Sequence, residues 1–265
     1  MEIMIGFNAL GKLGRLGNQM FQFSSLVGIA KYHNYDYCIP PSNNKNEWFD
    51  HQLFNCFKLS ETKKSNVFFL NTNFPVIQES SFSFDEKLFN TCPDFVDLRG
   101  YFQTEKYFRH ISDYIRSEFK FDDDLLDDCV ESFNELENPI SLHIRRTDYI
   151  TNPNHTTLSL DYYKNALTYF SKDRQVLIFS DDPDWCINQK LFDDDRFIVS
   201  QGQSNYMDMC LMSLCSDHII ANSSFSWWGA WLSKSNNVIA PSVWFSPDNK
   251  HLNTKDIYCD GWEVL

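Results

Sequence analysis

The run HIRRTD, residues 143–148, sets two arginines beside an aspartate directly after the apolar stretch ISLHI. A guanidinium group is charged at every accessible pH and offers a planar fork of donors that can grip two phosphate or carboxylate oxygens at once. At a strand end, Arg145 and Arg146 could therefore neutralise a pyrophosphate without a metal. On an open surface the same pair would only bridge to nearby acids. The carboxylate beside them is Asp148.

Three further groups have the types and places for ligand chemistry. GKLGRLGNQ (11–19) lies between the strand-like EIMIGF and the helix-like MFQFSSLVGIAKYH, so its backbone N–H groups gather where a helix dipole favours an anion. Its G-x-x-G-x-x-G spacing departs from the dinucleotide fingerprint and lacks a P-loop's Lys-Ser/Thr ending, which argues against NAD and Walker-type ATP sites. ANSSFSWWGAWLS (221–233) crowds Ser223, Ser224 and Ser226 at a helix start, more hydroxyls than one N-cap requires. VLIFSDDPDW (176–185) ends a strand in acids that suit a metal-nucleotide site through Asp182 and Asp184, a purine or ribose edge, or a helix cap with Pro183 in the first turn. Trp227, Trp228 and Trp231 read as core before they read as a sugar platform.

These groups need a scaffold that brings strand ends together. From residue 139 the pattern alternates: ISLHI, LDYYKNALTYFSK, QVLIFS, PDWCINQKLF, FIVS, NYMDMCLMSLC, HIIAN, SFSWWGAWLSK and NVIAPS read as strand and helix in turn. Such alternation predicts an α/β fold with a parallel sheet and ligands at the carboxyl ends of its strands. Upstream, YDYCIP reads as a second strand, 42–105 as loops and short elements, and 121–136 as an acidic helix. A boundary at 138/139 divides the chain into domains 1–138 and 139–265.

The formal charge of −13 disfavours nucleic acid and anionic membranes as partners, while leaving room for a local phosphate site. The 8 cysteines are scattered, without a CxxC pair, and read as reduced buried thiols. The N-terminus lacks the features of a signal peptide, and no apolar run is long enough to span a bilayer, so a cytoplasmic setting is expected.

Taken in order, GRLGNQMFQ, GYFQTEKYF (100–108), HIRRTDY, FSDDP and NSSFSWWGAWLS resemble glycosyltransferase family 11, the α-1,2-fucosyltransferases. HIRRTD is also similar to the H-x-R-R-x-D motif of α-1,6-fucosyltransferases, and GRLGNQ to the matching loop of protein O-fucosyltransferases. The resemblance implies a GT-B type fold of two Rossmann-like domains, the C-terminal one holding GDP-fucose. It also implies no metal requirement, and inverting transfer of L-fucose to the 2-hydroxyl of a terminal galactose on a glycan. By position, Arg145 would stabilise the leaving GDP, with Arg146 in support and Asp148 as nominee for the base. His143 and Asp181 or Asp182 would hold guanine and ribose. Ser223, Ser224, Phe225 and Ser226 would wrap the diphosphate, and the loop with Arg15, Gly17, Asn18 and Gln19 would reach it from the first domain. The rivals are a metal-dependent glycosyltransferase using Asp182 and Asp184, and a glycan-binding protein without catalysis.

Overall fold

The computed structural model describes residues 3–40, 50, 52–59, 74–133 and 136–265. The chain forms two compact units, one of residues 1–122 with 253–259, the other of residues 123–252 with 260–265. The expected boundary at 138/139 lies later. The acidic helix α5 (Asp123–Ser132) packs on a helix of the second unit, where the Cys129 thiol hydrogen-bonds Cys210.

In the first unit, β1 (Met4–Gly6), β2 (Asp36–Cys38), β3 (Val76–Gln78) and β4 (Asp97–Arg99) make a parallel sheet in the order β2-β1-β4-β3. Helix α1 (Leu16–His33) follows β1 and stops at Asn34, whose left-handed φ of 57° returns its N–H to Ala30 and Lys31 carbonyls. Its buried face includes Gln19, Gln22, Ser24 and Ser25 among aliphatic and aromatic residues. Short helices α2 (Gln52–Cys56), α3 (Glu86–Thr91) and α4 (Ser112–Glu118) complete the unit. Of the region expected to hold loops and short elements, 41–49, 51 and 60–73 lie outside the described residues. Residues 253–259 close this unit: Asp256 accepts from Lys106 Nζ at 2.5 Å and from the Phe84 N–H at 2.9 Å, and Ile257 is fully buried.

The second unit follows the expected alternation closely. Strands β5 (Ile140–Ile144), β6 (Val176–Ser180), β7 (Phe197–Val199), β8 (Asp217–Ile219), β9 (Val238–Ala240) and β10 (Glu263–Val264) form a parallel sheet. Helices α6 (Leu160–Ala166), α7 (Pro183–Ile187), α8 (Asn205–Leu214) and α9 (Ser224–Ser233) intervene. The order is β10-β9-β8-β5-β6-β7, so the chain runs outward from β5 through β6 to β7 and then crosses back to β8 on the other side. β5 and β8 are thus the neighbours at which strand order reverses, and open α/β sheets bind ligands outside the carboxyl ends of such a pair. Trp227 and Trp228 are fully buried, with Trp231 and Trp262 packed against Trp227, so these rings are core. No described helix is long and apolar enough to cross a membrane.

Gly28 fixes how closely α1 can approach its neighbours, because a Cβ there would fall 2.1 Å from the Tyr107 carbonyl oxygen. A main-chain atom cannot swing aside like a side chain, so Gly28→Ala is expected to destabilise by roughly 1–3 kcal/mol, as overpacking does. Urea unfolding of the variant checks this; an unchanged midpoint would mean that α1 has room there.

Candidate active site

The carboxyl end of β5 carries HIRRTD, and that of its neighbour β6 carries Asp181 and Asp182. The Arg145 guanidinium is held between two carboxylates, with Nη2 2.5 Å from Asp148 Oδ1 and Nη1 3.1 Å from Asp181 Oδ2. Its carbon sits 5.4 Å from the Tyr149 ring centroid. Arg146 stacks on Trp185 at 3.8 Å and donates from Nε to Asp182 at 3.1 Å. The two arginines therefore face different surroundings, and Arg146 is largely spent on structure.

Asp181 accepts from the Arg146 N–H at 2.8 Å, from the Thr147 N–H at 3.2 Å and from the Thr147 hydroxyl. Burial pushes its carboxyl up, but the Thr147 hydroxyl, the Arg145 charge and the Arg146 N–H together hold it below the usual carboxylate range. Asp182 caps α7 by accepting from the Trp185 N–H, with Pro183 in the first turn. Both acids brace the arginine turn and the following helix.

At the end of β8, Ser223 caps α9 by accepting from the Phe225 N–H. Ser226 is 1% exposed; it accepts from the Ala221 N–H and donates inward to the Ser223 carbonyl, so it braces the turn. Ser224 and Phe225 are half-buried, with the Phe225 ring 5.6 Å from that of His143. Asn222 is 1% exposed: Nδ2 donates to the Thr156 and Trp244 carbonyls, while buried Oδ1 has no partner. His143 Nδ1 is likewise buried without a partner. Asn222 Oδ1 and His143 Nδ1, both near the β5/β8 switch point, are thus buried polar atoms with no hydrogen-bond partner among the described residues.

In the first unit, Arg15 precedes α1 and is exposed, and Gly17 is buried in the first turn. Gln19 is fully buried and consumed by the loop, donating to the Gly14 and Asp50 carbonyls and accepting from the Leu53 N–H. Asn18 is half-buried, its Oδ1 accepting from Gln103 Nε2 at 2.7 Å.

The model of the family described as "Glycosyl transferase family 11" matches residues 2–265. The chain belongs to glycosyltransferase family 11. Among curated relatives, the O-antigen biosynthesis glycosyltransferase WbnK of Escherichia coli is 31% identical, covering 92% of this chain and 96% of the relative. An α-1,2-colitosyltransferase of Escherichia coli is also 31% identical, over 94% of this chain and 95% of its own. The galactoside α-(1,2)-fucosyltransferase 1 of Leontocebus fuscicollis is 24% identical, over 90% of this chain and 68% of its own. The crystal structure of the α-1,6-fucosyltransferase NodZ soaked with GDP-fucose superposes with a TM-score of 0.58 at 14% identity, covering 92% of this chain and 96% of NodZ. The fold is thus the α/β, GT-B type of these fucosyltransferases.

Sequence reading gave no role to several residues that the structure packs around the arginine turn. Tyr149 donates to the Asn222 carbonyl at 3.2 Å and stacks on His155, with centroids 4.4 Å apart. Trp185 backs Arg146, and Thr147 pins Asp181. Spacing gave no hint of Tyr149 and His155, which meet only through the short 3₁₀ turn Asp148–Ile150 and the loop beyond it.

Burial, and then the Arg145 charge, push His143 down to about 3; burial does the same to His218. Both rings should be neutral in the folded protein, so NMR signals of both are expected to stay flat from pH 8 to 5. The sign follows from the lowered folded value. As pH falls below about 6.5 the unfolded chain takes up protons that the folded one refuses. The stabilising contribution of each ring is therefore full above that pH and declines towards about 3. A titration midpoint near 6.5 at either ring would contradict this.

Proposed function

We propose that this family 11 glycosyltransferase moves L-fucose from GDP-fucose to the 2-hydroxyl of a terminal galactose on a glycan, with inversion and without a metal. The observation that carries the reading is Arg145, fixed between Asp148 and Asp181 at the end of β5, where the strand order reverses. The acceptor oxygen attacks C1 of fucose from the face opposite GDP. The new C1–O2 bond forms as the bond from C1 to the β-phosphate oxygen breaks, and both electrons of that bond leave with GDP. Negative charge grows on the β-phosphate, and a guanidinium already held in place stabilises that state without reorganising. The hydroxyl proton goes to a base, for which Asp148 is the nominee. Its side chain is 42% exposed, which supports the nomination. A cytoplasmic setting belongs to the same reading and is supported by the cysteines, none of which is paired in a disulfide.

One observation favours a second donor. The α-1,2-colitosyltransferase is 31% identical to this chain, whereas the Leontocebus fucosyltransferase is 24% identical. Colitose is fucose without its 3-hydroxyl, so GDP-colitose is the alternative substrate.

GDP release from GDP-fucose and from GDP-colitose, measured against a panel of galactosides, tests donor and acceptor together. Calorimetry in EDTA should show GDP binding, with UDP much weaker. Loss of binding on chelation would favour a metal-dependent enzyme, and sugar binding without GDP affinity a glycan-binding protein. Arg145→Lys keeps the charge but loses the fork, and is expected to lower kcat by at least roughly tenfold, on the scale of losing a preorganised donor. Asp148→Asn should lose turnover while keeping GDP affinity; a collapse of GDP affinity would make Asp148 an orienter of Arg145.

A further inference from the structure

GYFQTEKYF is the one motif of the resemblance in which no residue was given a role. In the first unit, β4 lies beside β1, so the segment after β4 runs next to the Gly-rich loop after β1. That segment is tightly held. The Glu79 carboxylate accepts from the Tyr101 and Phe102 N–H groups at 2.6 and 2.8 Å. Gln22 Nε2 bridges the Gly100 and Leu13 carbonyls, and the Ser25 hydroxyl donates to the Phe102 carbonyl. Phe102 itself sits at φ 52°, a left-handed conformation that a bulky residue keeps only where its surroundings impose it.

This rigid segment delivers Gln103, which is 7% exposed. Its Nε2 donates to Asn18 Oδ1, while its Oε1 is buried and has no partner. With its oxygen engaged, Asn18 has Nδ2 left to offer. That nitrogen occupies the space over Gly14, where a Cβ would fall 2.2 Å from it. The two amides, joined through Gln103 Nε2 and Asn18 Oδ1, therefore carry one unmatched acceptor and one uncommitted donor between them. A hydroxyl donates and accepts at once and can satisfy both; an ionised phosphate only accepts and would leave the Gln103 carbonyl unmatched. An unmatched buried acceptor is costly, and the arriving hydroxyl removes that cost.

We infer that Asn18 and Gln103 form a hydroxyl-binding pair for a sugar substrate, an inference that rests on the transferase reading above. The hydroxyl belongs either to the deoxyhexose being transferred or to the acceptor sugar. The test compares wild type with Gln103→Met, which keeps the length and loses the polar atoms, and with Gln103→Glu, which keeps an acceptor oxygen. GDP affinity should stay within about twofold of wild type, since one lost hydrogen bond of about 1.4 kcal/mol, a tenfold effect, falls elsewhere. In Gln103→Met that tenfold effect should appear in one substrate. A raised acceptor KM with unchanged acceptor-free GDP release assigns the hydroxyl to the acceptor. A raised GDP-sugar KM with slower acceptor-free release assigns it to the transferred sugar. Gln103→Glu keeps an acceptor but loses the Nε2 donor that holds Asn18, so it should fall between wild type and Gln103→Met in the affected constant.

If every constant of Gln103→Met stays within about twofold of wild type, on a scale where one lost hydrogen bond is tenfold, or if GDP affinity falls in parallel, the pair is not a sugar site. If Gln103→Met loses its melting transition, wild type and Gln103→Glu are run on substrates deoxygenated singly outside the reacting 2-hydroxyl. One such loss should cost wild type at least about tenfold. A flat panel overturns the inference. Wild type that neither binds GDP nor releases it from either GDP-sugar sinks the transferase reading itself, a result distinct from a failed variant.

Discussion

Asp181 accepts two backbone N–H groups and a hydroxyl from the turn that follows the neighbouring strand, and it pairs with the Arg145 guanidinium as well. A carboxylate at the end of β6 thus fixes the chain at the end of β5. Register makes this possible, because Ile144 pairs with Ser180 and the two strands end side by side. Without that brace the arginines would stand on a turn with unsatisfied N–H groups. The direction of the Arg145 fork would then be set by solvent.

The surroundings of the two arginines bear on how a strongly acidic protein could hold the phosphate proposed above. Arg145 pairs with Asp148 and Asp181 and Arg146 with Asp182, and each guanidinium also lies against an aromatic face. Full neutralisation would leave nothing for a ligand, but a guanidinium has five N–H donors and two carboxylates do not exhaust them. The neutral His143 adds no competing charge to this corner. What the site offers is direction more than net charge.

Much of the second unit was legible because fully buried parallel strands read as apolar runs and the helices between them carry caps at their starts. ISLHI coincides with β5, and Pro183 sits in the first turn of α7 with Asp182 as its cap. β3 and β4 escaped notice, since three-residue strands such as VIQ and DLR are too short to show a period and Val76 is exposed. The site was legible in its residue types and less so in its roles. Gln19 and Ser226 match the motifs but turn inward, because a buried loop needs its own hydrogen bonds met first. The Asn18–Gln103 pair spans two motifs far apart in sequence, and only the adjacency of β1 and β4 joins them.

The return of residues 253–259 to the first unit has a bearing on how the protein is made. Asp256, which receives Lys106 and the Phe84 N–H, and Ile257, which fills a core position, leave the ribosome after almost all of the second unit. Domains usually fold in the order of their synthesis. Here the first unit stays unfinished, with Lys106 unpaired by Asp256 and an apolar position unfilled, until residues 253–259 have followed almost all of the second unit. Translation that stalls within residues 123–252 would release a first unit lacking its closing piece, with core surface exposed to chaperones and proteases.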